Sequence, residues 1–146
     1  MLDEPVASLD PLARREFLAD LMEATAEQEL SVVLSSHLVA DLERVCDYLI
    51  VLVGSRVRVA GPVDELLAAH YLLAGPRRDP ATLPDELTVI SASHTDVQTT
   101  LLVRASGPVL DPAWTISEVG LEDLVLAYMS QAAAPGHRRR HLEVQK

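Results

Sequence analysis

The sequence predicts an α/β protein in which a parallel sheet with helices is followed by a small α+β unit. Two observations carry this prediction. Residues 1–70 alternate strand and helix patterns, as parallel α/β sheets do. Residues 87–134 instead bring strand patterns together before a single helix, and prolines 76, 80 and 84 lie between the two regions. We therefore predict a first domain over 1–72, a linker over 73–86, an α+β extension over 87–134 and a disordered tail over 135–146.

The elements of the first domain follow from cap residues and apolar periodicity. Leu2 ends a strand, and Asp10-Pro11 begins a helix that runs to about Glu27, because Asp accepts free backbone N–H groups and Pro needs none at the first helical position. The later elements are a buried strand over 30–36, a helix over 38–46, a hairpin of strands 48–53 and 56–60, and a short helix to about His70. Gly54-Ser55, with Gly first, predicts a type II′ turn in that hairpin.

The extension is predicted from its alternating residues and its final helix. Strands over 87–93 and 97–104 flank a turn, and a third strand covers 114–118. A helix follows, and Trp114 is expected in the core. The buried face of this helix is predicted to carry Leu121, Leu124, Val125 and Tyr128.

Composition bounds the classes of function. The chain has 146 residues, of which 49% are hydrophobic and only 3% aromatic, so its core is aliphatic. A net charge of −10 argues against nucleic acid as the principal partner, since a phosphate backbone favours Lys and Arg. Cys46 is the only cysteine, which excludes an internal disulfide. The longest apolar run, Tyr48 to Val53, is too short to cross a bilayer.

The first candidate site is the carboxylate pair Asp3-Glu4, which follows directly on a strand. A carboxylate at the end of a buried strand can hold magnesium directly or through water, as we expect of Asp3. A second carboxylate one residue later can act as general base on an attacking water, as we expect of Glu4. Taken alone, such a pair is more often an ordinary loop or helix entry, and the patterns downstream decide in favour of a site.

Two further patterns follow at fixed spacing. Ala7-Ser8-Leu9-Asp10 leads into the first helix, where Asp10 also serves as its cap. His37 follows the second strand and two serines. A lone histidine after an apolar strand is usually structural, but an imidazole at such a strand end can also sense a phosphate and orient water.

In their order and spacing, these residues resemble the Walker B motif, D-loop and switch histidine of an ABC-type ATPase, a P-loop NTPase. The resemblance extends through Cys46-Asp47, the hairpin, and Glu65-Leu66-Leu67, and so covers residues 1–70. It implies that Glu4 and His37 are catalytic and that Asp3 binds magnesium. It also implies that Ser8 and Asp10 contribute to nucleotide binding and couple the two sites of a dimer.

The resemblance implies ATP and Mg²⁺ as cofactors of the intact parent protein. It also implies a second ATPase subunit and an integral-membrane permease as partners, and a cytoplasmic position on the inner face of the plasma membrane. Residues 117–128, with Gly120-Leu121-Glu122-Asp123-Leu124, are similar to the ending of ATPase subunits from ABC-2 type exporters, including multidrug pumps.

Other motifs of that family are missing from these 146 residues. Gly-x-x-x-x-Gly-Lys-Ser/Thr, the Walker A loop that cradles phosphates, does not occur, and Lys146 is the only lysine. The Q-loop glutamine and the Leu-Ser-Gly-Gly-Gln signature are also absent. We therefore expect a partial sheet without the Walker A strand, and no ATPase activity from this chain alone. Two alternatives are a non-catalytic module that pairs with a chain supplying Walker A, and a misassigned start at Met1.

Overall fold

The computed structural model describes residues 1–76, 83, 86–107, 109 and 111–133. Helices and strands alternate in the first part of the chain, and strands dominate the second. Their bounds are β1 Leu2–Asp3, α1 Pro11–Gln28, β2 Leu34–Ser35, α2 Val39–Leu42, β3 Tyr48–Val53, β4 Arg56–Pro62, α3 Val63–Ala68, β5 His70–Pro76, β6 Leu87–His94, β7 Gln98–Ala105, β8 Thr115–Glu118 and α4 Leu121–Ala133.

The first two strands form the predicted parallel pair, but the pair is short. Each contributes two residues, and the register places Asp3 opposite Ser35. The prediction of a strand over 30–36 is therefore wrong for its first part. A strand is held by backbone partners along its length, and β1 offers only two residues. The apolar side chains that this leaves exposed are Leu30, Val32 and Val33, at 54, 38 and 62%.

Helix α1 begins as predicted. The Asp10 carboxylate accepts the backbone N–H groups of Leu12 and Ala13 at 2.9 and 3.1 Å. The apolar side chains of α1 are only partly covered, since Leu18 is buried whereas Met22 is 43% exposed. The helix predicted over 38–46 is too long: α2 holds only four residues, Val39–Leu42.

The hairpin β3–β4 is formed as predicted, with a different turn. Gly54 and Ser55 have φ values of +57° and +59°. Positive φ at both central residues is the type I′ arrangement, whereas type II′ requires it only at the first, so the predicted turn type is wrong. A register shift between Val51 and Leu52 marks a bulge, which adds to the twist of the pair.

A four-stranded antiparallel sheet, in the order β6-β7-β5-β8, forms the second part of the fold. β6, β7 and β8 begin within one residue of their predicted starts, and α4 follows them as predicted. β5 was not expected: it occupies residues 70–76, across the predicted start of the linker at 73, and pairs with β7 along its whole length. The remaining residues of the predicted linker fall mostly outside the described residues, as does the tail 135–146.

One apolar core joins the hairpin to the C-terminal helix. Leu49 and Val51 of β3 pack in the same cluster as Leu121 and Leu124 of α4, both of which are fully buried. The predicted bounds of 1–72 and 87–134 therefore do not separate two cores. The division into domains stays a prediction.

A second cluster surrounds the only tryptophan. Trp114 is 6% exposed, as predicted, and packs with Leu73, Leu101 and Val103. In the described part of the chain, no helix is long and apolar enough to cross a membrane.

The predicted fold class holds in its coarse form, as a mixed α/β structure with several sheets. Its detail differs: within the described ranges, parallel pairing is confined to β1 and β2, and β3–β4 forms a sheet of its own rather than the edge of a parallel one. Antiparallel pairing predominates because β5 to β8 form one sheet.

Candidate active site at the end of the parallel strand pair

The predicted carboxylates lie where β1 ends. Asp3 is the last residue of β1 and Ser35 the last residue of β2. The Ser35 hydroxyl donates to Asp3 Oδ1 at 2.5 Å and accepts the backbone N–H of Glu4 at 2.9 Å. That N–H also approaches the Ser35 carbonyl oxygen at 3.2 Å. Ser35 therefore ties both acidic residues to the neighbouring strand.

The backbone of Glu4 is held in an unusual conformation. Its φ is +45°, in the left-handed region that costs a non-glycine residue on the order of 1 kcal/mol. The two contacts from Ser35 to its N–H group offset part of that cost. The left-handed residue ends β1 and starts the turn that continues to Val6, which is 1% exposed.

Glu4 and His37 are in direct contact. The distance between Glu4 Oε2 and His37 Nδ1 is 2.8 Å. A carboxylate oxygen accepts, so Nδ1–H donates and Nε2 is left for another group. The two side chains are 39% and 66% exposed, so water screens their attraction and the pair adds little to stability. The contact matters for geometry, because it holds the Glu4 carboxylate and the His37 imidazole together at one exposed edge.

The two serines before His37 have different partners. Ser35 faces β1, as described, whereas the Ser36 hydroxyl accepts the Leu38 backbone N–H at 3.0 Å. A serine bonding to the backbone two residues later forms a tight local turn. That turn ends β2 and directs His37 back towards Glu4.

Ser8 and Asp10 lie on the turn that leads from β1 to α1. Ser8 is exposed, and Asp10 uses its Oδ1 to cap α1. Hydrogen bonds thus bring Asp3, Glu4 and His37 into one cluster, while these two residues stand on the segment that follows. The assigned roles of all five residues stay predictions.

The motif resemblance assigns Mg²⁺ to Asp3, and this assignment stays a prediction. In the described ranges, no group of three His, Cys, Asp or Glu side chains could enclose a metal ion. Magnesium usually needs no such cage, since proteins hold it with one or two carboxylates while substrate phosphates and water complete the octahedron. A single exposed carboxylate beside Glu4 fits that mode.

Sequence reasoning missed one buried polar pair, His70 and Tyr128. His70 is 1% exposed and contacts the Leu66 carbonyl through Nδ1 at 2.6 Å and the Tyr128 hydroxyl through Nε2 at 2.9 Å. Burial lowers the pKa of His70 and raises the pKa of Tyr128. The helical periodicity identified Tyr128 as buried, but no local pattern identifies its partner 58 residues away.

Cys46 is a free, partly buried cysteine. Its Sγ lies 2.9 Å from the Tyr48 carbonyl oxygen, and burial raises the pKa of the thiol. A raised pKa keeps the sulfur protonated and weakly nucleophilic.

The chain is similar to ATP-binding proteins of bacterial transporters. It is 34% identical to the molybdenum import ATP-binding protein ModC of Rhodopseudomonas palustris strain HaA2 over 107 residues, which are 73% of this chain and 28% of that protein. It is 37% identical to the thiamine import ATP-binding protein ThiQ of Salmonella typhimurium over 70 residues, 48% of this chain and 30% of that protein. It is 41% identical to the phosphonates import ATP-binding protein PhnC of Maricaulis maris over 64 residues, 44% of this chain and 24% of that protein.

These relatives are ATP-binding subunits of ABC transporters, as the motif resemblance implied. The chain spans less than a third of the length of each of the three. The exporter type predicted from residues 117–128 finds no support among them, since all three are named as import proteins. No protein-family model matches the chain.

Proposed function

We propose that this chain is part of the ATP-binding subunit of an ABC transporter and that its role there is to activate the attacking water. One observation carries the proposal: Glu4 and His37 are in contact beside Asp3, at the end of a parallel strand pair. We take ATP as the nucleotide because the relatives are named as ATP-binding proteins.

The chemistry assigned to each residue follows from its contacts. Glu4 is the general base, since its exposed carboxylate can accept a proton from a water molecule at the strand end. His37 positions that carboxylate through Nδ1 and offers Nε2 to the terminal phosphate or the water. Asp3 would hold Mg²⁺, which when bound neutralises charge on the phosphates. Ser35 holds Asp3 and Glu4 in place through the hydrogen bonds of its hydroxyl group.

The remaining assignments concern the assembled transporter. Ser8 and Asp10 stand on an exposed turn, where a second ATPase subunit could reach them. The full assembly would include an integral-membrane permease and lie at the cytoplasmic face of the membrane, with no nucleic acid partner. The substrate is not carried over from the relatives, because molybdenum, thiamine and phosphonates differ chemically.

The first test is hydrolysis by the purified chain. These 146 residues contain no Walker A loop, so nothing in them supplies the backbone N–H cradle and lysine for the phosphates. We expect no Mg²⁺-dependent ATP turnover above that of a Glu4→Gln variant. Turnover that the variant loses would refute the expectation of inactivity while supporting the role of Glu4.

A second candidate function is that of a non-catalytic module that pairs with a chain supplying Walker A. The exposed apolar residues before β2 favour it, because a short strand with apolar neighbours is a surface on which another strand can add. Co-purification with a protein that carries Walker A, with hydrolysis by the complex unchanged when a Glu4→Gln/His37→Ala variant replaces the wild-type chain, supports this module. Hydrolysis by the complex that depends on Glu4 supports the catalytic role instead.

A further inference from the structure

A groove separate from the carboxylate cluster runs between α1 and α2. Its volume is about 450 Å³. Leu18, Met22 and Val45 supply apolar lining, and Arg14, Arg15 and Arg44 supply positive charge. The lining therefore combines apolar and charged side chains, so it can contact a partner that carries both.

The charge of this groove is opposite to that of its surroundings. Residues 1–70 carry five arginines and thirteen acidic side chains, a net charge of −8. Three of those arginines line the groove, whereas Asp41 is the only acidic side chain that does. The groove lining therefore has a formal charge of +2 in an acidic segment. A partner with negative charge is attracted to this groove and repelled from the surface around it.

The three arginines of the groove differ in burial and in contacts. Arg14 is mostly buried: one of its terminal nitrogens lies 3.1 Å from Asp41 Oδ2 and the other donates to the Leu9 carbonyl oxygen at 3.2 Å. That ion pair joins α1 to α2 and builds the groove. Arg15 and Arg44 are exposed, and the ion pairs found among the described residues do not include them. Their guanidinium groups are thus available to a ligand.

Two buried polar atoms at the groove are incompletely satisfied. Within the described ranges, Arg14 Nε and Asp41 Oδ2 have no hydrogen-bond partner, although Oδ2 lies close to an Arg14 nitrogen. The two side chains therefore attract each other as charges without forming a well-aligned hydrogen bond through Oδ2. A buried polar atom without a well-aligned partner costs free energy, so part of the attraction in the Arg14–Asp41 pair is offset.

We propose that this groove binds an acidic amphipathic helix of a partner protein. Two neighbouring helices leave a groove into which the side chains of a third can pack. Aliphatic residues of the bound helix would contact Leu18, Val45 and the adaptable Met22, which is 43% exposed. Its carboxylates would pair with Arg15 and Arg44, whose planar groups match a carboxylate with two parallel hydrogen bonds. The proposal does not depend on ATP hydrolysis.

The test uses the whole chain and a synthetic peptide of about 18 residues, fluorescently labelled, with leucines on one helical face and glutamates on the other. We expect saturable binding by fluorescence anisotropy that weakens at high salt. The variant Arg15→Glu/Arg44→Glu should weaken binding about tenfold or more, by charge repulsion at the groove. The matched control Arg56→Glu/Arg58→Glu makes the same charge change on exposed residues of β4 and should change binding less than about twofold.

Three results would overturn the proposal. Absence of saturable binding would do so, as would equal losses in the two double variants, which would show attraction to the chain as a whole. Equal binding of a scrambled peptide of the same composition would exclude recognition of an amphipathic face. Sedimentation of the chain alone tests whether a second copy of the chain occupies the groove. A dimer that Arg15→Glu/Arg44→Glu dissociates would make a second copy the occupant and overturn the assignment to a partner protein.

Discussion

The buried contact between His70 and Tyr128 gives the sharpest stability prediction. His70 Nδ1 faces the Leu66 carbonyl, which can only accept, so Nδ1 carries the proton in the neutral ring. Nε2 is then an acceptor, and the Tyr128 hydroxyl donates to it at 2.9 Å. The rings meet edge to face, with centroids 5.7 Å apart. One hydroxyl therefore satisfies the only free acceptor of a histidine that is 1% exposed.

Tyr128→Phe removes that hydroxyl and keeps the ring. The apolar area buried by the ring is unchanged, so the cost is that of leaving a buried acceptor unsatisfied, about 1–3 kcal/mol. The matched control is Tyr48→Phe, at a side chain that is 53% exposed. Substitution at such a surface position should change the free energy of unfolding by less than about 0.5 kcal/mol.

Urea denaturation at pH 8, followed by the fluorescence of Trp114, measures both variants. Trp114 is the only tryptophan and lies in the core, so it reports on unfolding without labelling. A loss of about 2 kcal/mol with an unchanged slope lowers the urea midpoint by roughly 1 M for a chain of this size. A midpoint for Tyr128→Phe that matches Tyr48→Phe would refute the assignment of a hydrogen bond to this pair.

Three further predictions use the same chain. Burial lowers the pKa of His70 below 6.5, so below that pH the unfolded chain takes up a proton that the folded chain does not. The urea midpoint should therefore be constant above pH 6.5 and fall as the pH drops towards the pKa of the folded state. A flat profile from pH 7 to 5.5 would contradict this. Gly75→Ala should lower the free energy of unfolding, measured by urea denaturation, by about 1–3 kcal/mol. The new Cβ would lie 2.8 Å from the Trp114 ring and 2.9 Å from a backbone oxygen. An unchanged midpoint would refute this close approach. Ser35→Ala should speed hydrogen exchange of the Glu4 amide about tenfold or more, a change that Ser31→Ala should not produce; equal exchange in the two variants would exclude the tether.

Local signals predicted the elements that local forces define. Asp10 and Pro11 mark the start of α1 because a cap depends only on neighbouring residues. Alternation predicted β6 and β7, and the buried face of α4 followed from helical spacing. The turn at Gly54-Ser55 was assigned wrongly because a serine at positive φ is uncommon, and the sequence favoured a turn that places only Gly there.

Long-range pairing accounts for what the sequence did not predict. β5 ends in Gly75-Pro76, residues that suggest a loop, yet β7 and β8 hold it on both sides. The Asp3-Glu4 pair and His37 were recognised by spacing, and the structure brings them into contact. Ser35 was not assigned a role, because its bonds to both acidic residues depend on a strand register that spacing alone does not specify.

The central claim is that Glu4 activates water in an ATP site whose phosphate-binding side is supplied by other residues. The direct measurement is Mg²⁺-dependent ATP hydrolysis by this chain together with a companion polypeptide that carries a Gly-x-x-x-x-Gly-Lys-Ser/Thr loop. We predict hydrolysis by the pair that falls about 100-fold or more when Glu4→Gln replaces the wild-type chain, the scale expected for loss of a general base. Hydrolysis that is equal with Glu4→Gln, or no hydrolysis by the assembled pair, would contradict the claim.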